Sequence, residues 1–133
     1  MKQENREILL KDLCARLPYG VIVETPKEKG HVCDINLTIF ETKVGVNINA
    51  TSRDKFNIED IKPYLFPLSS MTEEEWEDYQ KIRMIDWVHG DINGTFINAG
   101  LIVDWLNVHH FDYRGLIPMG LAIPVTKENN PYK

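Results

Sequence analysis

The 133 residues are 43% hydrophobic and 26% charged, the make-up of one folded domain spanning residues 1–133 rather than of a disordered chain. Fifteen Lys and Arg against twenty Asp and Glu leave a formal net charge of −5, which argues against broad nucleic-acid binding and against anionic lipid surfaces. No run approaches the ~20 apolar residues of a membrane span, and the polar residues 1–7 carry no signal-peptide core, so the chain reads as cytoplasmic.

The first predicted element is an amphipathic helix over residues 4–17. Leu9, Leu10, Leu13, Cys14 and Leu17 fall at helical spacing, with Lys11, Asp12 and Arg16 turned outward. Pro18 stops it, and Gly20 releases the chain into an extended run through Val21, Ile22 and Val23. Residues 26–30 have turn chemistry. Cys33, Ile35, Leu37 and Ile39 then alternate with Asp34, Asn36 and Thr38, and the same period recurs in Val44, Val46, Ile48 and Ala50. Two such strands joined through Glu41, Thr42 and Lys43 predict an antiparallel hairpin, one face wet and the other covered by the opening helix. Cys14 and Cys33 are expected as buried, reduced thiols, since nothing points to an oxidising compartment.

Residues 51–70 read as a packed connector. Phe56, Tyr64 and Phe66 are interleaved there, Asn57 and Asp60 suit one short helical turn, and Pro63 and Pro67 prevent a long one. Thr72 and Glu75 have capping-box spacing, and Met71 before the cap can staple Trp76. Glu73, Glu74 and Glu75 match the dipole of a helix starting at residue 73, whose buried stripe is Trp76, Tyr79, Ile82 and Ile85. Two glycines and an Asn-Gly step predict a turn over 89–94. A further helix over 97–109 places Leu101, Ile102, Trp105, Leu106 and His109 on one side. The apolar runs at 116–117 and 121–123 offer an edge strand, and residues 128–133 are expected to fray. The fold class is therefore α+β: a small antiparallel β-meander of three or more strands, packed against the N-terminal helix and one or two further helices.

The chemistry-bearing residues concentrate at His109 and His110, followed by Asp112, Tyr113 and Arg114. Histidine beside a carboxylate is raw material for acid–base work or a metal site. Adjacent helical histidines point about 100° apart, however, and no His-x-x-x-His spacing is present. A helix end whose histidines meet the last carbonyls, with Asp112 opening a turn and pairing with Arg114, accounts for the same residues. Asp91, Asn93 and Gly94 beside His89 lack the further oxygen ligands of a calcium loop, and alternation splits His31 and Cys33 from Asp34. The acidic run 73–78 is explained by a solvated helix face, with mimicry of a phosphate backbone as the competing reading. Phosphate-cradling loops, a Ser nucleophile elbow and paired-Cys motifs are absent. The sequence thus gives no reason to expect a catalytic residue, metal or cofactor.

The run from Asp104 through Trp105, Leu106, Asn107, Val108, His109, His110, Phe111, Asp112, Tyr113, Arg114, Gly115, Leu116 and Ile117, then Gly120, Leu121 and Ala122, resembles a signature of small uncharacterised gut-anaerobe proteins. Lys62, Pro63, Tyr64 and Leu65, then residues 69–75, are similar to a second part of that pattern. The resemblance covers the second half of the chain, implies a prophage or mobile-element setting and carries no activity. Together with residue types favoured at binding hot spots, it leads to the expectation of a non-enzymatic accessory protein. Such a protein would bind a protein partner through Trp105, His109, His110, Asp112, Tyr113 and Arg114. Competing readings are a small hydrolase or metal-dependent enzyme using His109 or His110 with Asp112, and an acidic nucleic-acid mimic or regulator. The oligomeric state is open at this point.

Overall fold

In a computed structural model, residues 1–49, 52–89 and 92–133 are described, with 49, 84–89 and 92–98 described by backbone alone. The expectations for Ala50, Gly90, Asp91 and the side chains of Ile85, His89 and Asn93 lie outside the described residues. Helix α1 spans Gln3–Arg16, and strands β1 Ile22–Glu24, β2 Gly30–Leu37, β3 Thr42–Asn49, β4 Ser52–Asn57 and β5 Lys62–Leu65 follow. Helices α2 Glu73–His89 and α3 Ile92–Val108 come next, and β6 Ile123–Pro124 closes the series. The described strands form one sheet in the order β4-β3-β2-β1-β5-β6. Every neighbouring pair is antiparallel except β5 with β6. Pro124 sits in that outer strand, where a missing N–H costs no ladder bond. This is the α+β class read from the sequence, with more strands than the alternation alone revealed.

The core lies between α1 and one sheet face. Leu9 and Leu13 pack with Val21, Val23, Val32, Val44, Val46, Ile58, Ile61 and Leu65, and Leu116 and Leu121 close it from the C-terminal side. Ile22, Tyr64 and Val125 form a smaller cluster with Phe66, Ile123 and Tyr132 packed against it.

Several expectations are corrected. The buried face of α1 is Leu9, Asp12, Leu13 and Arg16, a complete i, i+3, i+4, i+7 set, and Cys14 is exposed. Two charges lie on that face because they neutralise each other. In β2 the alternation is broken by a bulge between Val32 and Asp34. The bulge resets the parity, so Val32 and the partly buried Ile35 share the core face while Cys33 is exposed. Gly45 lies opposite Asp34, where an added Cβ would stand 2.5 Å from the carboxylate. Beyond the bulge the hairpin outruns its cover: Leu37 is 64% exposed and Ile39 91%. The turn falls at 38–41, where Thr38 Oγ1 accepts the Phe40 and Glu41 N–H groups and donates to the Glu41 carbonyl.

The connector holds the expected turn, Ile58–Asp60, flanked by two strands that sequence reasoning missed. Core-facing Asp54 in the outer strand β4 is neutralised by Lys27 at 2.8 Å, and an inward charge of this kind discourages further pairing at a sheet edge. The capping box is present: Thr72 Oγ1 accepts the Glu75 N–H (3.1 Å) and Glu75 Oε1 accepts the Thr72 N–H (2.9 Å). Trp76, expected in the buried stripe, is 49% exposed because α2 packs principally along α3 rather than on the sheet. Helix α3 starts at Ile92, so Asn93 and Gly94 are helical rather than in a turn, and Leu101 is exposed. The tail does not fray at Tyr132. Its hydroxyl accepts the Ile22 N–H (3.1 Å) and donates to the Tyr64 carbonyl (2.7 Å), fastening residue 132 across β1 and β5.

Candidate functional site

The predicted site residues gather where α3 ends, and the local chain path explains their placement. His110 is the one positive-φ residue other than glycine among those described, at φ 61. Its N–H donates to the Asn107 carbonyl (3.1 Å) and the Phe111 N–H to the Leu106 carbonyl (2.9 Å). That is the Schellman helix ending, with histidine where glycine is usual. His109 Nδ1 lies 2.9 Å from the Trp105 carbonyl, so it meets a helix-end carbonyl as expected. The chain then runs beside β5, with the Phe66 N–H donating to the His110 carbonyl (2.8 Å) and the Asp112 N–H to the Phe66 carbonyl (2.9 Å).

Asp112 is buried, and its carboxylate receives two backbone donors: Leu116 N–H on Oδ1 and Ile117 N–H on Oδ2, both at 2.9 Å. This contact positions Leu116 in the core under α1. The expected pairing of Asp112 with Arg114 is not formed. Arg114 instead reaches across to α1, where its Nε lies 3.3 Å from Asp12 Oδ1. That contact is Coulombic, without the alignment of a hydrogen bond. Asp12 Oδ2 accepts from Arg16 Nε at 2.8 Å, with both side chains completely buried, and Arg16 Nη2 donates to the Phe111 carbonyl at 2.6 Å. The Tyr113 ring lies 5.2 Å from the Arg16 guanidinium and 5.0 Å from that of Arg114, within cation–π range. Its hydroxyl donates to Asn107 Oδ1 at 2.9 Å. Asp12 and Arg16, the hub of this cluster, went unassigned in the sequence because each looks outward when read singly. Their i, i+4 spacing was the available signal.

An aromatic series leads outward from the same point. Centroid distances run 5.7 Å from Trp76 to Tyr79, 5.9 Å to Trp105, 5.7 Å to Phe111, 6.0 Å to Phe66 and 6.0 Å to Tyr132. His110 stacks on Tyr132 at 4.0 Å and 10°. Burial pushes the His110 imidazole from 6.5 down to about 4, assisted by the charges of Arg16, His109 and His31. The folded ring therefore resists a proton that the unfolded chain accepts. Its contribution is fully present above the unfolded value of 6.5 and is lost as pH falls toward about 4. Discounted for the ring's partial exposure, this amounts to about 1–2 kcal/mol. The unfolding free energy of the parent, read from urea titrations, should fall between pH 7 and pH 4.5 by about that much more than that of His110→Asn, a residue that also tolerates positive φ. Parallel profiles would contradict the assignment.

His109, His110 and Asp112 are each engaged by separate partners, the Trp105 carbonyl, the Tyr132 ring and the Leu116 and Ile117 N–H groups, and among the described residues no three His, Cys, Asp or Glu side chains form a group able to hold a metal ion. No described helix is long and apolar enough to cross a membrane. Comparison with family models, curated proteins and solved structures finds no match for this chain. The contacts of the site join α1, the end of β5 and the C-terminal segment where the chain leaves α3.

Proposed function

We propose that this chain is a non-enzymatic, cytoplasmic accessory protein that binds a protein partner through the α2–α3 helix pair. The observation that carries this reading is the half-exposed Trp76, set at the outer end of the aromatic series with Leu101, Val103 and Val108 also exposed on α3. A large aromatic with one face packed and the other wet loses little side-chain freedom on binding. Trp105, His109, Tyr113 and Arg114 keep partly exposed edges at the base of α3 and belong to the same proposed face. Helices α2 and α3 carry seven acidic residues against two basic, which suits a partner with an apolar groove and a basic rim. The signature's resemblance to prophage and mobile-element proteins supports an accessory role.

Affinity capture from cells tests this reading. The parent should retain a specific partner, and a folded Trp76→Ala/Val108→Ser variant should retain it at least about tenfold more weakly, since truncating a central anchor costs upwards of ~1–2 kcal/mol. Equal retention by parent and variant would remove the helix pair as the recognition surface.

A further inference from the structure

We propose that the cavity at the start of β2 binds a small organic anion, one carboxylate or phosphate group carried on an apolar body. A row of three side chains underlies it. Ile22 of β1 stands directly opposite His31 of β2, and His31 opposite Asn47 of β3, so the three share one sheet face as cross-strand neighbours. The His31 ring rests on Gly20, its Cδ2 3.7 Å from where a Cβ would stand at that glycine. Lys29 sets its ammonium 5.1 Å from the centre of the Tyr64 ring, within cation–π range. Ile48 and Pro131 complete the lining, and the Tyr132 hydroxyl, bridging the Ile22 N–H and the Tyr64 carbonyl, fastens the tail that carries Pro131. The backbone bearing these groups is therefore fixed by the ladder and the tail before any ligand arrives.

The cavity measures about 480 Å³, within the ~300–1,000 Å³ of small-molecule sites, and a lone inorganic oxyanion would leave most of it empty. Its composition selects an anion. Lys29 and His31 contribute the ionisable groups and Asn47 an amide donor, and no Asp or Glu stands among the described lining residues. Two carboxylates on the same sheet face are engaged elsewhere: Glu24 accepts the Tyr64 hydroxyl, and Asp34 pairs with Arg53. His110, stacked on Tyr132, has its proton opposed by the charges of Arg16, His109 and His31, so the field on this side of the molecule is positive. The acidic excess behind the net charge of −5 lies instead on α2 and α3. Ile22, Ile48 and Pro131 supply the apolar wall, which is stabilised by covering a hydrocarbon or aromatic body.

An NMR titration tests the proposal, following the backbone amide signals as phenyl phosphate, phenylacetate, inorganic phosphate or benzylammonium is added. At least one of the two aryl anions should shift the signals of Ile22, Lys29, His31 and Asn47 to saturation, with a dissociation constant at or below about 5 mM. The tighter of the two assigns the head group as phosphate or carboxylate. Inorganic phosphate should bind at least about fivefold more weakly, because it lacks the apolar body, and benzylammonium should leave these signals in place. Lys29→Gln should weaken the tighter anion at least about fivefold, and Lys62→Gln, at an exposed lysine outside the cavity, should leave it unchanged. Both variants should melt as the parent does, because both side chains are exposed. The proposal is overturned if neither aryl anion gives saturable shifts, or if benzylammonium or inorganic phosphate binds as tightly as they do. A Lys29→Gln chain that binds like the parent overturns it as well. Equal losses in Lys29→Gln and Lys62→Gln overturn it in favour of diffuse attraction to the sheet face.

Discussion

Replacing Arg16 by Met is expected to lower the unfolding free energy by about 3–5 kcal/mol, the usual cost of removing one partner from a buried ion pair. The guanidinium is completely buried, donates to Asp12 Oδ2 at 2.8 Å and to the Phe111 carbonyl at 2.6 Å, and packs near the Tyr113 ring. Methionine fills part of the volume but donates nothing. Asp12 would then stay buried with Arg114 as its nearest cation, 3.3 Å away and poorly aligned. The Phe111 carbonyl, at the point where the chain leaves α3, would lose this donor. Urea unfolding at neutral pH reads the loss directly, and a change below about 1 kcal/mol would mean that the pair contributes no more than an exposed one.

Asp112→Ala should cost about 2–4 kcal/mol, because two N–H groups lose their acceptor together. Leu116 N–H and Ile117 N–H both end on this carboxylate, and Leu116 is fully buried beside Leu9 and Leu13. Asp112→Asn keeps one carbonyl acceptor and should recover about half of the loss. A thermal or urea transition unchanged by the alanine would show that these amides find other partners and that the carboxylate is free for another role.

The elements that were legible in the sequence are those whose signals are local. The start of α2 follows from Thr72 and Glu75, which form both capping-box bonds. The core face of β3 follows from Val44 and Val46. What escaped is set by contacts between distant parts of the chain. The bulge at Cys33 shifts every later residue of β2 by one, and an alternation count cannot locate a residue that stands outside the count. Strand β4, rich in charge as Arg53, Asp54 and Lys55, has no strand-like composition and exists because β3 offers it a partner. In the candidate site, the residue types of the C-terminal signature stood out, and the helix-end contact of His109 was anticipated. Asp12 takes one cation, Arg16, from its own helix at an i, i+4 spacing that a short window does contain, and meets the other, Arg114, from far along the chain, which no short window shows. Tyr132 looked like part of a polar tail for the same reason: its anchors, Ile22 and Tyr64, lie in other strands.

The account rests on Asp12 and Arg16 acting as one buried unit that ties α1 to the C-terminal segment. A double-mutant cycle with Asp12→Leu, Arg16→Met and the combined variant, followed by urea unfolding, measures that unity. The combined variant should lose less than the two single losses together by about 2 kcal/mol or more, because removing both charges leaves neither stranded. Losses that add to within about 0.5 kcal/mol would contradict the account, showing two residues that stabilise the fold independently.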